Sequence, residues 1–272
     1  MQLPPRYWSA ARDGALLAWG WSATSIDEAT WMARDRLTAL LAALGSGTAR
    51  ASYGWVPPRE ELVHEVRADD GTLIGVVTRN RYGADVLGTD QLLIADVDVP
   101  RGRTGSRVRR FFGRSQPEDD PKTVALQRIQ TFANTHPHLG VRVYETYGGF
   151  RAVVTGTGLA PDAPQAAEMF GQLATDEVYA HLCRKFHTCR ARLTPKPWRC
   201  GMHRRPPEWP AADAAAETAL SDWLAAYRTA CGNARTCRLV LASGPSPNPQ
   251  EWQLIDVHDR ATRITDEQLP LA

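Results

Sequence analysis

The chain has 272 residues, of which 43% are hydrophobic and 23% charged, and its formal net charge is only +2. This composition excludes an intrinsically disordered protein and a globally basic nucleic-acid binder, so a polyanion would have to bind at a local patch. No apolar run approaches the roughly eighteen residues that a membrane helix needs, and the N-terminus lacks the pattern of a signal peptide. We therefore expect a cytoplasmic protein with no membrane partner.

Hydrophobic periodicity and turn residues predict alternating strands and helices in the first half of the chain. The predicted elements are, in chain order, a strand at 15–21, a helix from Ser25 to about Leu44, a short helix at 59–66, and the three strands of an antiparallel meander near 73–79, 84–88 and 91–98. The following residues, 101–120, are rich in Arg, Gly, Ser and Pro and predict a loop that buries little.

The second half adds helices and hairpins. The predicted elements are a helix from Pro121 to about His136, a β-hairpin over 140–155 that turns at Gly148-Gly149, helices near 163–174, 177–188 and 211–230, and a closing hairpin of strands at 237–242 and 252–257. This order indicates an α+β fold with an RRM-like antiparallel sheet and helices on one face. We expect a core domain over 1–200 and a C-terminal helix and hairpin extension over 201–272.

Two carboxylates end an apolar segment in "LLIADVDVP". Asp96 and Asp98 are two residues apart on the predicted strand, so both side chains leave the same face. Two close carboxylates repel each other, and divalent cations relieve that repulsion while recruiting phosphate oxygens. The pair is therefore our candidate catalytic and metal-binding site for Mg²⁺ or Mn²⁺. The alternative is a strand end that runs into solvent with two exposed acids.

Two further segments could bind phosphate. The hairpin "YETYGGFR" places Thr146, Gly149 and Arg151 around a tight turn, where small residues let backbone amides approach an anion and a guanidinium can grip it. The segment "CRARLTPKPWRC" interleaves cations with prolines and Trp198, and its candidate phosphate ligands are Arg192, Lys196 and Arg199. An ordinary hairpin and a solvated basic loop are the alternatives.

Other arginines predict contact with a nucleic-acid backbone. The candidates are Arg79 in "TRNRYG" and, in the loop after the aspartates, Arg101, Arg103, Arg107, Arg109, Arg110 and Arg114. A simple turn and a solvated charge run are the alternatives. Three of the five cysteines and two histidines could together form a tetrahedral zinc site; they are Cys183, His187, Cys189, Cys200 and His203. Their spacing fits no standard zinc motif, so we expect free thiols rather than structural zinc.

"LLIADVDVP" followed by "YETYGGFR" resembles the first two motifs of the archaeo-eukaryotic primase superfamily, which includes primase-polymerases. The resemblance spans about residues 70–200 and implies that Asp96 and Asp98 bind divalent metal and that Arg151, at the position of the family's nucleotide-contacting histidine, contacts the nucleotide. That departure either preserves phosphate binding or marks a member that no longer polymerises. The family also needs a third acid, for which Asp256 is a poor match. The chain is also similar to a group of bacterial proteins that share "RARLTPKPWRC", a likeness that implies no activity.

The leading hypothesis is therefore a divergent primase-polymerase-like nucleotidyltransferase that acts on nucleic acid or nucleotides with a divalent metal. In-line attack of a primer hydroxyl on the nucleotide would be promoted by metal and cation electrostatics. The alternatives are a non-catalytic nucleic-acid-binding or regulatory module, a metal-dependent nuclease or phosphohydrolase, and a protein-interaction role in which the acids are incidental.

Overall fold

The computed structural model describes residues 3–46, 57–99 and 120–272. These residues form an α+β fold of three antiparallel sheets and six α-helices, so the predicted α+β class is confirmed. None of the helices in these three stretches combines the length and the apolarity needed to cross a bilayer.

An N-terminal hairpin packs against the first helix. Its strands are β1 (Tyr7–Asp13) and the predicted β2 (Leu16–Ser22), and the helix is α1 (Ile26–Gly45). The Ser25 hydroxyl caps the first turn of α1, as its position before an amphipathic segment predicts. A Cβ at Gly20 would clash with the helix backbone, so this glycine permits the close approach of β2 and α1.

The second sheet has the strand order β3-β4-β5-β9. Its strands are β3 (Glu61–Arg67), β4 (Leu73–Arg79), β5 (Asp85–Thr89) and β9 (Cys189–Arg192). The predicted short helix at 59–66 is wrong, because this segment is β3. Its glutamates and leucine favour a helix locally, but pairing along β4 satisfies the backbone and decides the structure.

The central sheet has the strand order β10-β7-β8-β6. Its strands are β6 (Leu93–Asp98), β7 (Gly140–Thr146), β8 (Gly149–Thr155) and β10 (Cys237–Ser243). The predicted hairpin and the strand that carries the aspartates are confirmed. The predicted meander is wrong, because the chain changes sheets after β5 and β6 pairs with β8 instead.

Five more helices complete the described fold. They are α2 (Pro121–Thr135), α3 (Pro164–Gln172), α4 (Glu177–Phe186), α5 (Ala214–Cys231) and α6 (Pro249–Thr262), and a short 3₁₀ helix spans Pro197–Arg199. The first four match the predicted helices.

The prediction of a closing hairpin is wrong, because residues 252–257 belong to α6. Asn248 and Glu251 form a reciprocal capping box at its start, with both hydrogen bonds at 2.9 Å, and Pro249 occupies the first turn. Leu254 and Ile255 are fully buried in the main core. Residues after 200 thus supply β10 to the central sheet and α6 to the core, while the division into domains at residue 200 stays a prediction.

The two faces of the central sheet have different neighbours. Lys122 of α2 is 2.7 Å from Glu145, and Ile129 of α2 is buried, so α2 covers the face that carries Glu145. Tyr144 points to the opposite face and contacts the His258 ring of α6 at a centroid distance of 4.6 Å. The candidate site lies on this second face.

Candidate functional site

The two aspartates and Arg151 lie together on one face of the central sheet. Asp96 on β6 is directly opposite Arg151 on β8, and Asp98 is directly opposite Gly149. Residues directly opposite on antiparallel strands have side chains on the same face. The predicted arrangement of two same-side acids facing a guanidinium from the hairpin is therefore present.

A third carboxylate, Asp176, lies near the pair. Its backbone N–H donates to the carbonyl of Asp96 at 2.9 Å, and its side chain caps α4. Burial, followed by the neighbouring charges of Asp96 and Asp176, raises the pKa of Asp98. Asp256, the poor match for a third acid, lies instead on α6 and pairs with Arg260 at 2.8 Å.

The turn of the hairpin serves its own structure. The Gly149 N–H donates to the Thr146 hydroxyl at 3.2 Å, and a Cβ at Gly149 would clash with the carbonyl of Val97. The Gly149 N–H is thereby engaged, while the Thr146 hydroxyl can still donate its proton, so the phosphate contact from this turn stays a prediction. Gly148 lies beside the Asp98 carboxylate, so the turn borders the site.

Arg151 is only 3% exposed, which is inconsistent with the predicted direct contact to phosphate. Its Nη1 donates to the carbonyl of Arg192 and to Nε2 of His258, both at 3.0 Å, and lies 3.6 Å from the Cys237 sulfur. Its Nε is buried without a hydrogen-bond partner in the described structure. Arg151 therefore supports β9 from beneath the surface.

His258 and Asp259 hold Arg151 in place. An arginine only donates, so His258 Nε2 accepts and its Nδ1 donates to Asp259 Oδ1 at 2.8 Å. Asp259 also pairs with Arg142 at 3.0 Å. Burial, together with the positive charge of Arg151, lowers the pKa of His258, which keeps the ring neutral. Sequence reasoning missed both residues, which directly follow the strand predicted at 252–257.

Three cations face the acids from the segment that begins at β9, namely Arg192, Lys196 and Arg199. Burial, followed by the charges of Arg151 and Arg199, lowers the pKa of Arg192 to about 10. Burial, followed by Arg192 and Arg199, also lowers the pKa of Lys196. In the described structure, neither Arg192 nor Lys196 forms an ion pair with a carboxylate. The opposite charges that act on them are those of the acids across the site, Asp96 on Arg192 and Asp98 on Lys196.

The other predicted cations divide into two groups. Arg79 is largely buried and pairs with Glu61 at 2.5 Å and Asp85 at 3.2 Å, which favours a structural role over the predicted nucleic-acid contact. The exposed arginine of this turn is Arg81. The loop arginines lie outside the described residues; they are Arg101, Arg103, Arg107, Arg109, Arg110 and Arg114.

The carboxylates are suited to a hard divalent cation. Mg²⁺ is commonly held by one or two carboxylates, with water and substrate phosphates as its other ligands, which matches Asp96 and Asp98. Within the three described stretches, no group of three or more His, Cys, Asp and Glu side chains is placed to hold a metal, so Asp176 does not complete a closed site. The five cysteines are free thiols, and the expectation of no structural zinc stays a prediction.

The function must be argued from this geometry, because comparisons of the chain with protein-family models, curated proteins and solved structures find no match.

Proposed function

We propose that the protein is a metal-dependent nucleotidyltransferase of the primase-polymerase type, which joins nucleotides on a nucleic-acid strand. The observation that carries the proposal is the separation of charge across the site. Asp96 and Asp98 lie on one side, and Arg192, Lys196 and Arg199 lie on the other.

Each half of the site is destabilised by its own like charges. The neighbouring acids raise the pKa of Asp98, and the neighbouring cations lower the pKa of Lys196, with burial as the largest cause of both shifts. A cation bound by the acids and an anion bound by the basic side chains would relieve both repulsions at once. A nucleoside triphosphate with its divalent metal supplies that pair of charges.

The chain's own residues would divide the work. Asp96 and Asp98 would hold Mg²⁺ or Mn²⁺, which neutralises phosphate charge and polarises the reacting phosphoryl group. Lys196 would bind a phosphate through its compact ammonium charge, and Arg199 would bind one through the two parallel N–H donors of its guanidinium. Arg151 would act as a positioning residue, because its guanidinium fixes the carbonyl of Arg192.

The proposal includes the resemblance to the archaeo-eukaryotic primase superfamily. Four antiparallel strands with α2 on one face and the acids on the other support an RRM-like core. The buried Arg151, at the position of the family's histidine, departs from that pattern, and the nearby His258 supplies an imidazole from a different part of the chain. A cytoplasmic location stays a prediction.

The test compares Asp96→Asn and Asp98→Asn with Asp256→Asn, which removes the same charge from a half-exposed position on α6. The assay measures primer extension on a single-stranded template with nucleoside triphosphates and Mn²⁺, and titration calorimetry measures Mn²⁺ affinity. We expect each site variant to lose at least about 100-fold in extension, because a catalytic metal contributes several kcal/mol. The control variant should match the wild type in both measurements.

The rivals give different results in the same assay. Wild-type protein that binds strands in a salt-sensitive manner but extends no primer would be a non-catalytic module. Shortened strands released without added nucleotides would indicate a nuclease. Extension by Asp96→Asn at the wild-type rate would contradict the proposal outright.

A further inference from the structure

Two exposed aromatic side chains lie beside the candidate site. Tyr82 is 36% exposed and Trp198 is 48% exposed. Their rings meet edge to face, with centroids 5.4 Å apart and planes at 89°. An edge-to-face pair leaves ring faces that the other aromatic does not cover, and large apolar side chains exposed together mark an interaction surface.

Both rings are presented by a rigid backbone. The Asn80 side chain accepts from the Tyr82 N–H at 2.9 Å, and Gly83 adopts φ +84° against the Trp223 ring, which fixes the turn before β5. Trp198 lies in the 3₁₀ helix, which is closed by the Cys200 N–H on the carbonyl of Pro197 at 3.1 Å. The aromatic pair is therefore held in place before any ligand arrives.

A basic cavity of about 560 Å³ opens beside the pair. The lining side chains that matter here are Arg81, Tyr82, Trp198, His203, Arg204 and Arg205. Within the described structure no acid lines this cavity. The Trp223 indole donates to the carbonyl of Arg204 at 3.1 Å, which anchors the wall that carries two of the arginines. Its charge selects an anion, and its aromatic rings select a flat partner.

The basic segment links the cavity to the candidate site, because Trp198 lines the cavity and lies between Lys196 and Arg199 in the chain. Lys196 lies 5.6 Å from the Trp198 ring and also lowers the pKa of Asp98. Arg199, which follows Trp198 in the chain, lies 4.0 Å from the ring of Tyr147, in the turn that borders Asp98. A strand whose phosphate lies near Lys196 can therefore continue towards the aromatic pair.

We propose that Trp198, supported edge to face by Tyr82, forms a stacking platform for a base of single-stranded nucleic acid, whose flanking phosphates contact Arg81, Arg204 and Arg205. A chain of alternating bases and phosphates satisfies the aromatic and the cationic features together, whereas an acidic peptide would use only the charge. The role of this strand as the substrate of the site rests on the proposed function, but the binding itself does not.

The test measures binding of a labelled oligothymidylate and of an abasic oligonucleotide of the same length, in EDTA so that no metal chemistry intervenes. Trp198→Ala should weaken oligothymidylate binding by roughly 5- to 150-fold, since one stacked base contributes that much, and should leave abasic binding unchanged. Trp31→Ala is the matched control, because Trp31 is 67% exposed on α1 and does not line the cavity.

Charge and stacking separate further in a second set of variants. Replacing Arg204 and Arg205 with alanine should weaken binding of both oligonucleotides. The slope of log binding constant against log salt concentration should become shallower by roughly 0.7 for each phosphate that the protein no longer neutralises. Tyr82→Ala and Tyr82→Phe provide an independent pair if Trp198→Ala fails to fold: the alanine variant should lose base-dependent affinity, and the phenylalanine variant should keep it.

Unchanged oligothymidylate affinity in folded Trp198→Ala or Tyr82→Ala would overturn the platform, as would equal losses with the abasic strand. Primer extension reports separately on the proposed function. Stacking without extension refutes only the nucleotidyltransferase, and extension without stacking refutes only the platform.

Discussion

The neutral His258 beneath the candidate site makes stability depend on pH. The ring is 2% exposed and faces Arg151 from β8, Tyr144 from β7 and Asp259 on its own helix. Burial, with the charge of Arg151, lowers its pKa below the usual 6.5. As the pH falls through about 6.5, His258 therefore takes up a proton in the unfolded chain, whereas in the folded protein it stays neutral to lower pH. This contribution to stability is complete above pH 6.5 and is lost as the pH falls below it, at up to about 1.4 kcal/mol per pH unit.

His258→Gln removes the titration and keeps a side chain that can accept from Arg151. At about pH 7.5 the substitution should lower the free energy of unfolding by about 2 kcal/mol, because hydrogen bonds to the charged Arg151 and Asp259 are disturbed. At about pH 5.5 the difference from wild type should shrink by about 1 kcal/mol, because the wild type has lost its histidine contribution there.

Urea unfolding at the two pH values measures both quantities, with the slope of free energy against urea as a check on two-state behaviour. His181→Gln is the control, since His181 is exposed on α4 and should leave the pH dependence of wild type unchanged. Parallel pH profiles for wild type and His258→Gln would refute the assignment of a buried neutral imidazole.

Two matched pairs extend the test to the hairpin and the arginine turn. Gly149→Ala should destabilise the fold by about 3 kcal/mol, because its Cβ would clash with backbone, while Gly148→Ala meets only the Asp98 carboxylate and should cost less in a thermal melt. Arg79→Ala should lower the free energy of unfolding by about 1 to 2 kcal/mol and leave strand affinity intact. Arg81→Ala should leave the free energy of unfolding nearly unchanged and weaken strand binding. Equal effects of the two substitutions would contradict the distinction between a structural Arg79 and a strand-binding Arg81.

Local sequence patterns were enough to predict that Asp96, Asp98 and Arg151 share one face of the sheet. Strict two-residue spacing put Asp96 and Asp98 on one face, and the Gly-Gly pair marked the turn that brings Arg151 opposite Asp96. Both inferences depend only on the period of a strand and the geometry of a hairpin.

The other half depends on contacts between distant segments. Nothing near Asp176 indicates that its backbone binds the carbonyl of Asp96, because the sheet register and the start of α4 together decide it. In the same way, pairing with β8 decides that β6 joins the central sheet rather than the sheet of β5. His258 was within reach of sequence reasoning, since Asn248, Pro249 and Glu251 form a helix-start signal that outweighs the β-branched residues after it.

The central claim is that the acids and the basic segment share one metal-bound nucleotide. The most direct measurement is a crystal structure with Mn²⁺ and a non-reactive nucleoside triphosphate, using anomalous scattering to locate the metal. We expect Mn²⁺ between Asp96 and Asp98, with phosphates against Lys196 and Arg199. Acids that stay free of metal at saturating Mn²⁺, with their carboxylates turned onto those same cations, would contradict it.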